Sequence, residues 1–195
     1  MLGSMTLFYH MMSTPVGLLF LARTPKGLRH LEFMDRKSLK RMIAGHASEQ
    51  PDARWEPSLL ELKPYVEQLD AYFNGGLVEF DLPLDLKGSE FQLKVWKALR
   101  AIPFGETRSY GQLAKQIRQP RATRAVGLAN NQNPIVIVVP CHRVIGADGS
   151  LTGYGGGLPK KRWLLEHEAT HARRLATPPD LFAGTAREGS RRGSR

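Results

Sequence analysis

The chain has 195 residues, 42% of them hydrophobic, which is enough to build a core in one compact domain or two small ones. No apolar run approaches the roughly 20 residues of a membrane span, and Met1 to Met12 lacks a basic stretch followed by a long apolar core, so a soluble, cytoplasmic protein with no membrane partner is expected. The single cysteine, Cys141, excludes an intrachain disulfide and any zinc site built on several thiolates.

The net charge of +10 is unevenly spread. Residues 1–87 carry 10 Lys/Arg against 11 Asp/Glu, residues 88–172 carry 12 against 5, and residues 173–195 carry 6 against 2. A basic second half suits a polyanion, nucleic acid first, although a basic solvated surface of no specific purpose would look the same. Gly3-Ser4 ahead of Met5 reads as a cloning remnant, with Met5 as the natural start.

Thr6 to Met12, Val16 to Ala22 and Gly27 to Phe33 are short apolar runs separated by turn residues, the pattern of an antiparallel meander. Arg36 to Ala47 reads as a helix. Leu59, Leu62, Val66, Leu69, Tyr72 and Phe73 recur at helical spacing and stop at Asn74-Gly75-Gly76. Leu77 to Leu86, with Pro83 inside it, reads as a linker.

Beyond Gly88 the pattern is mostly helical. Ser89 caps a run with Phe91, Val95, Trp96, Leu99 and Ile102 on one face, and Pro103-Phe104-Gly105 ends it. A short helix from Ser109 through Ile117, a turn at Gln119-Pro120 and a second helix over Arg121 to Asn131 make a helix-turn-helix. Ile135 to Val139 is an unbroken β-branched run, expected as a fully buried strand with Cys141 just past its end. A glycine-rich loop leads to a last helix, Leu158 to His167. The fold class expected is α+β: an N-terminal antiparallel-sheet domain with helices over 1–87, a mainly helical, winged-helix-like domain with a helix-turn-helix over 88–172, and a basic disordered tail over 173–195.

The sharpest local signal is Pro140-Cys141-His142-Arg143-Val144. Thiolate is the reactive form of cysteine, and a neighbouring histidine base or positive charge lowers the cost of making it. A lone cysteine is more often an inert, buried small hydrophobe; His142 and Arg143 shift the balance toward chemistry.

In order along the chain, Tyr110-Gly111-Gln112-Leu113-Ala114, Arg124-Ala125-Val126-Gly127, Asn133-Pro134, the Pro140 to Val144 run, and Tyr154 with its glycine triplet followed by Trp163-Leu164-Leu165-Glu166-His167-Glu168 resemble the O6-alkylguanine-DNA alkyltransferases, strongly over residues 88 to 170. The resemblance implies repair by direct reversal: one irreversible transfer of an alkyl group from O6-alkylguanine in double-stranded DNA, with O4-alkylthymine left open, onto Cys141. It implies His142 as the base acting through a water, Glu168 as its orienter and Asn133 as a hinge. Glu168→Gln is then expected to slow transfer and spare the fold. Base flipping falls to Arg124 and Tyr110, with the small residues Ala125, Gly127 and Ala129 letting the helix lie close to the minor groove. Tyr154, Gly155, Gly156 and Val144 form the guanine pocket. Gly155 stands where some relatives carry serine, and Asn130 where some carry methionine, which bears on the pocket's width.

No metal and no cofactor is expected, and the protein is expected to act as a monomer, with clustering on DNA left open. His167-Glu168-Ala169-Thr170-His171 fits the H-E-x-x-H pattern of a zinc protease, but only Asp180 and Glu188 follow it as candidates for a third ligand. Two rivals remain: a non-catalytic helix-turn-helix damage sensor or regulator, and a cysteine hydrolase.

Overall fold

A computed structural model describes residues 5–34, 39–49 and 51–176. It is an α+β fold with an N-terminal sheet and a helical C-terminal part. The three predicted strands are β1 (Thr6–Thr14), β2 (Gly17–Thr24) and β3 (Gly27–Met34), paired antiparallel with Met12 opposite Leu19 and Leu21 opposite Leu31. Gly27 turns between β2 and β3 at φ +142°, where a Cβ would lie 2.3 Å from the Pro83 carbonyl, so the turn needs both the free φ and the missing side chain.

Helix α1 (Leu39–Glu49) overlaps the predicted Arg36 to Ala47; residues 36–38 lie outside the described residues, as do Gly3 and Ser4. A fourth strand, β4 (Arg54–Pro57), was not expected. It pairs parallel with β1 and closes the order β3-β2-β1-β4. Four residues ending in proline carry too few alternating positions to announce a strand. Helix α2 (Leu59–Phe73), capped by Ser58, packs on β1 and β2 and buries Leu62, Tyr65, Leu69 and Tyr72.

The expected linker is a strap. Leu28 N–H donates to Pro83 O (2.9 Å), Asp85 N–H donates to Leu28 O (2.8 Å), and Asp85 also takes the Arg29 guanidinium and the Thr24 hydroxyl. The edge of β3 thus finds backbone partners where the sequence suggested free chain.

Helix α3 (Glu90–Arg100) starts on a Ser89–Gln92 capping box. β5 (Arg108–Ser109) leads into α4 (Tyr110–Gln116), whose cap is Ser109, and α5 (Thr123–Asn131) follows across a turn in which Arg118 sits at φ 60°. β6 (Val144–Ile145) pairs parallel with β5, and α6 runs Leu158–Ala176. α6 extends nine residues past the predicted His167 end, so residues 173–176, assigned to the tail, are helical; 177–195 lie outside the described residues. A single hydrophobic cluster runs from Leu19, Leu31 and Tyr72 through Trp96 and Val126 to Leu164. The halves that differ in charge therefore share a core.

The predicted strand Ile135 to Val139 is instead a buried knot of turns. Only Ile135 bridges to Leu31, Ile137 adopts φ 71°, and Val139 N–H turns back to Ile135 O. Asn133 explains the difference: its Oδ1 accepts from Ile135 N–H (3.0 Å) and its Nδ2 donates to Val139 O (2.7 Å), pinning both ends of the run. A β-branched residue at positive φ is costly, and it persists because burial and these bonds leave the backbone no alternative.

Candidate active site

Cys141, His142 and Arg143 form a single 3-10 turn that emerges from this knot. Cys141 is 3% exposed. Asn133 is 7% exposed and holds the knot from below, while Asn130 Nδ2 reaches the Cys141 carbonyl at 3.4 Å.

Glu168, on α6, is fully buried and collects five donors. Its Oε1 accepts from His142 Nε2 (2.7 Å), Tyr72 Oη (2.9 Å) and an Arg143 terminal nitrogen (3.0 Å); its Oε2 accepts from Arg143 Nε (2.8 Å) and Gly105 N–H (3.1 Å). Arg143 also donates to Ile102 O. Burial alone would raise the Glu168 carboxyl, but His142 and Arg143 outweigh it and hold it well below the usual carboxylate range. Arg143 thus has a charge-balancing role that the sequence reading did not assign, and Tyr72 comes from the N-terminal half, where nothing local marks it.

Burial lowers the His142 pKa despite the pull of Glu168, so the ring is neutral near pH 7. Its Nε2–H is committed to Glu168. The lone pair therefore sits on Nδ1, which is buried without a hydrogen-bond partner. Burial pushes the Cys141 thiol up to about 11, with Asn133 and then Lys161 opposing it. The thiol is protonated at rest: the Lys161 charge lowers the cost of the thiolate, as expected of nearby positive charge, without outweighing burial. Lys161, also missed, is fully buried, and its Nζ donates to Val144 O (2.6 Å) and Thr152 O (2.7 Å).

A cavity of about 150 Å³ holds Cys141 together with Tyr154, Gly155, Gly156, Asn130 and Asn133. It is smaller than the roughly 300–1,000 Å³ of drug-sized pockets. Its far wall is Glu32 and Phe33 from β3, which the sequence reading did not include. Phe33 meets Tyr154 edge-on, and a Cβ on Gly156 would lie 2.5 Å from the Phe33 ring. Val144 does not line this cavity: it is fully buried, pairs with Arg108, and its carbonyl anchors Lys161, so its expected pocket role is corrected to a supporting one. A larger cavity, about 720 Å³, opens behind the turn between Phe104, Pro140 and Leu175 and does not include Cys141.

On α5, Arg124, Ala125 and Leu128 are exposed, with Leu128 at 60%, and Gly127 is half-buried beside the Tyr110 ring. Tyr110 Oη lies 3.5 Å from the carbonyls of Thr152 and Gly153, which places it against the glycine-rich loop. Ala129 faces the other way. It is 2% exposed, and its carbonyl accepts the Trp96 indole N–H at 2.8 Å, so its small size serves α3–α5 packing rather than a DNA surface. The H-E-x-x-H pattern is used for packing: His167 Nε2 bonds Tyr72 O, His171 Nδ1 bonds His167 O, and Glu168 is committed to the His142–Arg143 cluster.

Residues 90–170 match the family model for the DNA-binding domain of 6-O-methylguanine DNA methyltransferase, and residues 7–86 match the model for its ribonuclease-like domain. A methylated-DNA–protein-cysteine methyltransferase of Mycolicibacterium paratuberculosis is 52% identical over 164 residues, covering 84% of this chain and 93% of the relative. The crystal structure of Mycobacterium tuberculosis O6-methylguanine methyltransferase aligns at a TM-score of 0.75 with 47% identity, covering 90% of this chain and 97% of that one. The M. tuberculosis protein in complex with DNA aligns at 0.72 with 49% identity, covering 84% and 94%.

Proposed function

The chain belongs to the 6-O-methylguanine DNA methyltransferase family, and on that premise we propose that Cys141 accepts the alkyl group of O6-alkylguanine in duplex DNA, with His142 as its base and Glu168 as the group that orients this base. The protein is a methylated-DNA–protein-cysteine methyltransferase and acts in DNA repair. One observation carries the assignment of residues: the only thiol lines a small cavity beside a histidine whose Nε2 is committed to a buried carboxylate, leaving Nδ1 as the acceptor.

The target oxygen lies inside a base-paired stack, so the nucleotide must leave it. Arg124, exposed on α5, is the residue to fill the vacated space, and Tyr110 rotates the phosphate. The flipped base enters between Tyr154 and the Gly155-Gly156 backbone. His142 Nδ1 takes the thiol proton through a water, and the sulfur attacks the alkyl carbon. The carbon–O6 bond breaks with its electron pair passing to the purine, which takes up one proton and leaves as guanine. The products are guanine and a thioether, so no cofactor enters the balance and each molecule acts once.

Incubation with a duplex bearing one O6-methylguanine, followed by intact-mass measurement, should show a single methyl-for-hydrogen increment on Cys141 and none on Cys141→Ser. No increment, or an increment that survives in Cys141→Ser, would overturn the assignment.

A further inference from the structure

Strand alternation sends His30 and Glu32, two residues apart on β3, to the same face of the sheet, and α1 brings His46 over them. His30 Nδ1 and His46 Nε2 lie 3.2 and 3.1 Å from the same oxygen, Glu32 Oε1, and all three atoms fall within 4.8 Å of one another. At such distances hydrogen bonds would be ordinary. Yet neither buried nitrogen has the alignment of a well-formed hydrogen bond, so each meets the Glu32 carboxylate as an ion-pair contact only. Buried polar atoms without well-formed hydrogen bonds are costly, and three lone-pair donors gathered this closely suit a cation. Two ligands about 2.0–2.2 Å from a tetrahedral centre stand about 3.3–3.6 Å apart, a few tenths of an ångström wider than the two separations here.

We propose that His30, Glu32 and His46 form a binding site for a zinc-class divalent ion that braces β3 against α1. Two imidazoles and one carboxylate favour a borderline first-row metal over magnesium or calcium, which take oxygen ligands. The Phe20 and Trp55 rings, centred 6.1 and 6.0 Å from that of His46, wall the cluster and hold the imidazole in place. Three protein ligands leave a fourth position, and the cluster borders a cavity of about 400 Å³ from which water completes the tetrahedron. The expectation that the protein holds no metal rested on a first half without cysteine, but this set needs none. Glu32 also lines the Cys141 cavity, so the ion steadies a wall of the base pocket without taking part in the transfer.

The test is cobalt(II) titration of the chelator-stripped full chain, followed by displacement with zinc, in wild type and in Cys141→Ser. One equivalent should bind in both, with ligand-field bands and no sulfur-to-cobalt charge-transfer band. Loss of even an outer partner of a metal ligand costs roughly 10–100-fold in affinity, so Glu32→Gln and His46→Gln should each weaken binding by at least tenfold, while His10→Gln should not. Metal should also raise the melting temperature of wild type and leave that of His46→Gln unchanged, with the metal-free melting curve of each variant reporting whether it folds. Absence of stoichiometric binding, or binding lost in Cys141→Ser and kept in a folded His46→Gln, would overturn the site.

Discussion

Burial of Cys141 makes stability sensitive to alkaline pH. Its pKa rises from 9.0 to about 11 on folding, so the neutral thiol favours the folded state fully below pH 9, and this contribution disappears as pH climbs through 11. Two pH units correspond to roughly 2–3 kcal/mol. The unfolding free energy of wild type in urea should fall by about that much more than that of Cys141→Ala between pH 9 and 11; parallel curves would mean that the thiol is solvated. Glu168→Gln, expected from the sequence to spare the fold, should instead cost about 3–5 kcal/mol, because it strips the counter-charge from buried Arg143. Chemical denaturation at neutral pH measures it. The activation scheme is better tested by His142→Gln, which keeps an N–H toward Glu168 and removes the basic lone pair. Single-turnover transfer should slow roughly 10²–10⁴-fold with little change in melting temperature. A wild-type rate would exclude His142 as the base.

At the scale of elements, α5 separates a packing face from an outward one. Val126 and Ala129 meet α3 and α4, while Arg124, Ala125 and Leu128 face solvent and Gly127 lies between them. A Cβ on Gly127 would meet the Tyr110 ring at 3.8 Å, an ordinary contact, so Gly127→Ala fits the fold and should stabilise it by about 0.5–1 kcal/mol. The added methyl should nevertheless weaken duplex binding if this backbone lies against DNA. Thermal melts and fluorescence anisotropy read the two effects separately, and unchanged affinity would remove Gly127 from the interface. Arg124→Ala should slow duplex repair far more than reaction with free O6-methylguanine, since only the duplex requires the flipped state to be held. Equal losses on both substrates would assign Arg124 to the fold.

Over the whole molecule, the basic charge falls on the half that carries the helix-turn-helix and the cysteine, with more arginine after it. Residues 177–195 hold four of the arginines. Ending the chain after Ala176 should make the log–log salt dependence of duplex binding shallower, by about 0.9 for each phosphate that these arginines neutralise, and leave the reaction with free base unchanged. An unchanged slope would assign those arginines elsewhere. The shared core predicts coupling between the halves: Leu31 N–H donates to Pro134 O and Val136 N–H to Leu31 O, so β3 supports the knot that presents Cys141.

What the sequence determined by itself was whatever local pattern encodes. Strand alternation, helical periodicity and the caps at Ser58, Ser89 and Ser109 located most elements, and the Pro140 to Val144 run with its companion segments marked Cys141, His142, Glu168, Asn133 and the residues around Tyr154. Contacts between distant residues were decided only in three dimensions. The closure of Asn133 on Val139 turned an apparent strand into a knot, and Tyr72 reached Glu168 from 96 residues away. Phe33 became a pocket wall, Ala129 a packing residue, and His30, Glu32 and His46 a convergent cluster. Periodicity reports which side of an element is apolar. It does not report what lies opposite, and burial, ion pairing and the pKa of Cys141 all depend on that.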